Sequence, residues 1–284
     1  MYLAGDSVPQ DPNRAATLFQ QACEGGYVAS CYTLALMYRE GFGLPEDDAR
    51  AVSLLQVACN SGFAQGCNYL GGMYFEGVGV PQDHARALSL IEKACNGGEA
   101  QACTNLGIMH FTGEVVAQDP ARAASLFQRG CDGGDAKGCR NLGIMYHDGI
   151  GVSQDLARVA PLLERACDIG DPEGCYTLGV SYATGDVVPV DYSRAASLFE
   201  RACDSGFAGG CLGLGRLYTD GVGVRQDDTT AAVLYQKACD GGAADGCYRI
   251  SVMYSYGIGV PRDTTRAAAL LRQACDGGVA EACK

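Results

Sequence analysis

The residue types that could do chemistry here are cysteines. Sixteen of them stand in eight pairs of the form Cys-x7-Cys, recurring every 36 residues without a slip: Cys23 with Cys31, Cys59 with Cys67, Cys95 with Cys103, Cys131 with Cys139, Cys167 with Cys175, Cys203 with Cys211, Cys239 with Cys247 and Cys275 with Cys283. Paired thiols can be oxidised to disulfides or can ligate a soft metal, and so many thiols rarely survive unpaired in an oxidising compartment. A period of this length marks an array of one supersecondary unit stacked on copies of itself.

Each unit must position its two cysteines with two helices. Asp opens the unit at Asp11, Asp47, Asp83, Asp119, Asp155, Asp191, Asp227 and Asp263, directly before an apolar periodic stretch, which predicts a helix N-cap. Pro12 and Pro120 follow at the first helical position, where proline costs least. Ala15, Leu18 and Ala22, repeated as Ala51, Leu54, Ala58 and as Ala87, Leu90, Ala94, predict an apolar stripe that ends at the first cysteine. Gly26 and its seven equivalents supply the positive φ that leaves a helix. Val28, Cys31, Leu34, Ala35 and Tyr38 then predict a second helix, with the Ala35 position glycine in most copies and Ser251 in one. Loops of the form Gly-x-Gly-Val-Pro-x-Asp lead to the next unit. The expected fold is all-α: a right-handed superhelical α-solenoid of about eight αα-hairpins, a single array over residues 1–284 with units beginning near 11, 47, 83, 119, 155, 191, 227 and 263.

The motif Leu-Gly-x-Met-Tyr-x-x-Gly-x-Gly-Val-x-x-Asp-x-x-Arg-Ala resembles Sel1-like repeats, relatives of the tetratricopeptide repeat. With Cys-x7-Cys added in each unit, the chain is similar to the secreted cysteine-rich proteins first described in Helicobacter. It departs from the pattern at Thr230 (in place of Arg or Lys), at His110 (in place of Tyr), and at Val115 and Val187 (in place of the second loop glycine). These read as local repacking.

Within a unit, antiparallel helices joined by a tight glycine turn bring the two Cβ atoms within the 3.5–4.5 Å or so that a bridge needs. Eight local disulfides are therefore expected. A shared four-cysteine zinc site is disfavoured, since neighbouring pairs lie roughly 8–10 Å apart across a stacked hairpin and no histidine stands at ligand spacing. A reduced, merely apolar cysteine ladder is the remaining alternative. No metal and no cofactor is expected.

The chain is 48% hydrophobic, has no Trp and 40 Gly, and carries a net charge of −12. That charge argues against a nucleic-acid partner and against an anionic lipid surface. No apolar run approaches the ~18 residues that span a bilayer, and no signal-peptide pattern is present. Met1-Tyr2-Leu3-Ala4-Gly5 aligns with Met37-Tyr38-Arg39-Glu40-Gly41, and the other end stops at Cys283-Lys284. These ends suggest a segment of a longer protein or a processed form, secreted or periplasmic.

Catalytic machinery is not legible. The three histidines, His84, His110 and His147, are expected to be solvated, packed and at a variable surface position respectively, and eight of the Asp residues are assigned to caps. The Gly-x-Gly loops lack the third glycine and preceding strand of a dinucleotide site. The resemblance implies one enzymatic alternative, because some cysteine-rich Sel1-like relatives carry a penicillin-binding or β-lactamase description. No Ser has Lys three residues on, however, and neither Ser-Asp-Asn nor Lys-Thr-Gly occurs.

Function is then expected where the repeats differ. Aligned with a tetratricopeptide helix, one row of the second helices reads Arg39, Phe75, Phe111, His147, Ala183, Thr219, Ser255. Another reads Tyr32, Asn68, Thr104, Arg140, Tyr176, Leu212, Tyr248. Exposed aromatic and Arg side chains anchor protein interfaces, so Tyr32, Arg39, Phe75, Phe111, Arg140, His147, Tyr176, Arg216, Tyr248 and Tyr256 are the candidate contacts for a protein or extended peptide along a concave face. A structural alternative is end-to-end self-association through Met1–Leu3 and the Cys283 end.

Overall fold

The structure, a computed structural model, describes residues 11–284; the expectation for Met1–Leu3 lies outside the described residues. First helices of the hairpins are α1 (Pro12–Glu24), α3 (Asp48–Asn60), α5 (His84–Asn96), α7 (Pro120–Asp132), α9 (Leu156–Ile169), α11 (Tyr192–Asp204), α13 (Asp228–Asp240) and α15 (Thr264–Asp276). Second helices are α2 (Val28–Glu40), α4 (Ala64–Glu76), α6 (Ala100–Thr112), α8 (Ala136–Asp148), α10 (Pro172–Thr184), α12 (Ala208–Asp220) and α14 (Ala244–Tyr256). A short 3₁₀ turn, Ala280–Cys283, closes the described chain, and no strand occurs among the described residues. The architecture is an all-α solenoid of 36-residue hairpins.

Seven of the eight opening aspartates cap as expected, each side chain accepting a backbone N–H of the first turn, for example Arg14 N at 3.0 Å from Asp11 and Arg86 N at 2.9 Å from Asp83. Asp155 is the exception. Its carboxylate meets Arg158 Nε at 3.1 Å instead, and the helix it opens carries Pro161 in its interior. Proline there withholds an N–H and crowds the preceding turn, so the missing cap and the interior proline fall in one helix. Gly26, Gly62, Gly98, Gly134, Gly170, Gly206, Gly242 and Gly278 all have positive φ, as the sequence predicts.

The residues cluster into two compact units: one runs to Gly138 and includes Ile150–Val152, the other comprises Cys139–Gly149 and Ser153–Lys284. Within the first, α1 to α7 pack successively, each on its sequence neighbour. Within the second, α9 to α15 do the same.

One predicted stripe needs correction. Leu18 is exposed, and Leu54 and Leu90 are only half-buried. The buried row lies one residue later, at Leu55, Ile91, Phe127, Leu163, Phe199 and Tyr235. Its side chains reach the small-residue row of the preceding second helix: a Cβ on Gly71 would lie 2.7 Å from Ile91, and one on Gly179 would lie 2.8 Å from Phe199. Large-on-small packing of this kind brings two helix backbones close, and the residue that fills the gap left by glycine is the one that becomes core.

Candidate functional site

Disulfides hold the hairpins, each within one 36-residue repeat. Cys23 is bonded to Cys31, Cys59 to Cys67, Cys95 to Cys103, Cys167 to Cys175, Cys203 to Cys211, Cys239 to Cys247 and Cys275 to Cys283, with Cα–Cα separations from 4.5 to 4.9 Å. Cys131 and Cys139 are disulfide-bonded as well, and no described cysteine is free. The first cysteine of each pair ends a first helix and the second lies about one turn into the next, as the hairpin geometry requires. The second cysteines Cys103, Cys175, Cys211 and Cys247 are all buried, so these bridges are part of the core and are not open to a ligand. Among the described residues no group of three His, Cys, Asp or Glu side chains comes together to hold a metal.

The departures His110 and Thr230 turn out to belong to one kind of interaction. In the other units a Tyr of the second helix meets an Arg twelve residues on. Arg50 donates to Tyr38 Oη at 3.0 Å, Arg158 to Tyr146 at 2.8 Å and Arg194 to Tyr182 at 2.9 Å, while Arg86 and Arg266 lie 4.5 Å over the rings of Tyr74 and Tyr254. His110 replaces the Tyr of such a pair and Thr230 replaces the Arg of another. His110 is buried with neither ring nitrogen hydrogen-bonded. Thr230 turns instead to Asp227, donating its hydroxyl at 2.7 Å. That bond, with the Thr230 and Thr229 backbone N–H groups and nearby Arg225, holds the Asp227 carboxyl below its ordinary range.

The candidate contact residues fall into two groups. Tyr32, Arg39, Arg140 and Tyr176 are half-buried and engaged with the next repeat. The Tyr32 ring lies 5.4 Å from Phe63 and 6.2 Å from Tyr69, and burial first, then Tyr69 and Glu99, push its phenol pKa up. Arg39 donates to Tyr69 Oη at 3.5 Å and pairs with Asp48 at 3.5 Å, so Tyr69 brings Tyr32 and Arg39 together. Arg140 pairs through Nε with Asp171 at 2.6 Å and through a terminal nitrogen with Glu173 at 2.8 Å. Tyr176 sits 5.3 Å from Phe207 and 5.7 Å from Phe199.

A rule connects these contacts. Three residues of the Tyr32 row meet the residue 31 places later, at the foot of the next second helix: Tyr32 with Phe63, Arg140 with Asp171, Tyr176 with Phe207. Leu212 and Ala243 share one core cluster, and Tyr248 and Val279 share another. At the first three places aromatic meets aromatic and cation meets anion, while Asn68 of the same row pairs with Gln101 instead, so much of the variation along this row is matched in the neighbouring repeat. Thr104, of the same row, is buried against Gly130 with its hydroxyl unpartnered.

In the second group Arg216 and Tyr256 are exposed, whereas Phe75, Phe111 and His147 are half-buried. Phe75 packs edge-on to His84 at 5.0 Å and lines a depression with Ile108 and Met109. Phe111 is half-buried, Arg216 is exposed and Tyr256 is 75% exposed. His147 Nδ1 lies 2.6 Å from Asp148, and its Nε2 lies 3.8 Å from Asp186. Tyr69, Asp171, Glu173 and Asp186 escape the sequence reading, although the 31-residue register marks Asp171.

The Sel1 repeat family model matches residues 1–27, 28–63, 64–99, 100–135, 136–171, 172–207, 208–242 and 244–279. Among solved structures, the chain is similar to c5321, a protective antigen of uropathogenic Escherichia coli strains with an SLR fold (29% identity, TM-score 0.80, covering 99% of this chain and 60% of that one). It thus spans 60% of that relative's length. It is similar also to a Sel1 repeat protein from Oxalobacter formigenes (29% identity, TM-score 0.75, 94% of this chain and 77% of that one). Helicobacter pylori cysteine rich protein B matches over 46% of this chain and 93% of its own (27% identity, TM-score 0.39). No curated protein matches the sequence.

Proposed function

Because the chain belongs to the Sel1 repeat family, we propose that it is a secreted or periplasmic scaffold that binds another protein, or an extended peptide, along the face of its second helices. The observation that carries this reading is the second group of side chains, exposed or half-buried and not matched to the foot of the next second helix. Phe75, Phe111, His147, Arg216 and Tyr256 differ from repeat to repeat on a frame whose caps, bridges and turns barely change. An extended face of this kind is what stacked hairpins present to partners, and aromatic and Arg side chains supply anchors on it. Disulfide bonding of every described cysteine supports an oxidising, extracytoplasmic compartment. No described helix is long and apolar enough to cross a membrane.

Tyr32, Arg39, Arg140 and Tyr176 are better suited to holding the face together than to meeting a partner directly, because their functional groups are already matched within the chain. Tyr248, half-buried beside Val279, falls with them.

The test is affinity capture under non-reducing conditions, comparing the unaltered chain with a Phe111→Ala, Arg216→Ala, Tyr256→Ala variant. These three side chains make none of the inter-repeat contacts above, so the variant should keep its melting temperature. A protein retained by the unaltered chain and lost by the variant supports the scaffold reading. Identical retention by both removes it, and turnover of a chromogenic β-lactam above a heat-inactivated blank would replace it with the hydrolase alternative.

A further inference from the structure

The repeats that carry Val115 and Val187 in place of loop glycine share a second departure. Where the equivalent loop position elsewhere is Phe42, Val78, Ile150, Val222 or Ile258, these two have Glu114 and Asp186. Each carboxylate stands at the rim of a depression, and the two depressions are built from equivalent residues two repeats apart. The first, of about 220 Å³, is formed by Phe75, Ile91, Ile108, Met109 and Glu114. The second, of about 140 Å³, has His147 in place of Phe75, Leu163 in place of Ile91, and Asp186 in place of Glu114.

Their anions are in different states. Asp186 accepts from Thr184 Oγ1 and from the Val187 N–H, both at 2.9 Å, and its other oxygen faces His147 Nε2 at 3.8 Å. The Glu114 carboxylate has no hydrogen bond and no ion pair among the described residues, and no cation lines its depression. It shares the depression with the Phe75 ring and the apolar Ile91, Ile108 and Met109, beside the polar Asn105 and Thr112. A purely apolar occupant would strip water from that carboxylate without replacing it, and an acidic one would be repelled.

We infer that the Phe75–Glu114 depression receives the side chain of a lysine or arginine from a basic segment of a protein partner. The methylene stem lies on Ile91, Ile108 and Met109, as long cationic side chains cover apolar surface while keeping their charge at the rim. The charged head reaches Glu114 and is attracted by the Phe75 ring. A chain with net charge −12 also raises the local concentration of basic segments. The inference rests on the partner-binding reading for its partner, and it adds the chemistry that selects one.

The probes are three tripeptides, acetyl-Gly-X-Gly-amide with X as Lys, norleucine or Glu, titrated into the ¹⁵N-labelled, disulfide-intact chain. The lysine peptide is expected to shift the amides of Phe75, Ile108 and Glu114. Affinity should fall about fivefold for norleucine, which loses both the exposed ion pair and the cation–π contact, and about twofold for lysine on Glu114→Gln, which loses the ion pair alone. Asp186→Asn should leave lysine binding unchanged. Equal affinity of lysine and norleucine, no effect of Glu114→Gln, or no shift at these amides overturns the inference. Such a result alongside variant-sensitive capture of a partner would leave the broader scaffold reading standing.

Discussion

A methyl group placed on Gly107 would lie 2.7 Å from the Phe127 ring of the following helix, whereas one on Gly143 would lie 3.5 Å from Leu163 at the same place one repeat later. The first is a collision and the second is ordinary contact. Gly107→Ala should therefore lower stability by about 1–3 kcal/mol through overpacking. Gly143→Ala should raise it by about 0.5–1 kcal/mol, because alanine is the better helix residue. Urea midpoints of the two variants check both signs, and a destabilised Gly143→Ala would refute the packing rule.

Arg140 and Asp171 form an ion pair whose side chains are only 17% and 8% exposed. Replacing Arg140 with Ala leaves the buried Asp171 carboxylate only the Gly174 N–H that it caps, at a cost of about 2–4 kcal/mol. Asp171→Ala in the Arg140→Ala background should recover part of that loss. A double-mutant cycle reads the coupling, and any binding defect of Arg140→Ala has to be judged against it.

Gly130 stands where the equivalent first-helix positions are alanine, and a Cβ there would lie 2.2 Å from Thr104 Oγ1. Gly130→Ala alone should destabilise, while Gly130→Ala with Thr104→Ala should be close to or above the unaltered chain. The expected coupling exceeds about 1 kcal/mol, and additive effects would show that the two side chains do not share the space.

Cys59 and Cys67 are buried and joined across one turn. Replacing both with Ala should cost about 2–3 kcal/mol by loop-closure entropy. In an array where each hairpin touches chiefly its neighbours, hydrogen exchange should accelerate most in α3 and α4. Uniform acceleration along the first unit would mean that its hairpins unfold as one block.

Asp227 titrates below its ordinary value of 3.8, chiefly because Thr230 hydrogen-bonds its charged form. A carboxylate depressed in the folded state contributes stability above its unfolded pKa, and that contribution disappears as pH falls through the folded value. Thr230→Val should move the Asp227 carboxyl resonance titration upward and flatten the acid limb of the stability profile below about pH 4. An unmoved titration would assign the shift to the backbone donors alone.

How far the chain could be read without coordinates depends on the distance over which each feature acts. An Asp cap, a Cys-x7-Cys hairpin or Gly26 at positive φ is settled within one or two turns, so the residues themselves carry the signal. Leu18 and Phe19 are adjacent and both apolar, so periodicity leaves the phase of the stripe ambiguous by one residue, and only the neighbouring glycine row decides it. The Tyr32 row reads in the sequence as a set of partner contacts, because the side chains that match Tyr32, Arg140 and Tyr176 sit 31 residues away in another hairpin. Glu114 was invisible as a site for the same reason, since Phe75 and Ile91 approach it only through stacking.

The 31-residue matching has a genetic consequence. Tandem repeats invite unequal crossing-over, which deletes or duplicates whole units while preserving every helix, cap and disulfide. Loss of residues 141–176 would keep the 36-residue phase intact, yet it would set Arg140 opposite Phe207 rather than Asp171. A guanidinium would then be half-buried against an aromatic ring with no carboxylate. The order of the repeats is thereby written into their contacts, and a recombinant array with the right parts in the wrong sequence is penalised before it meets any partner.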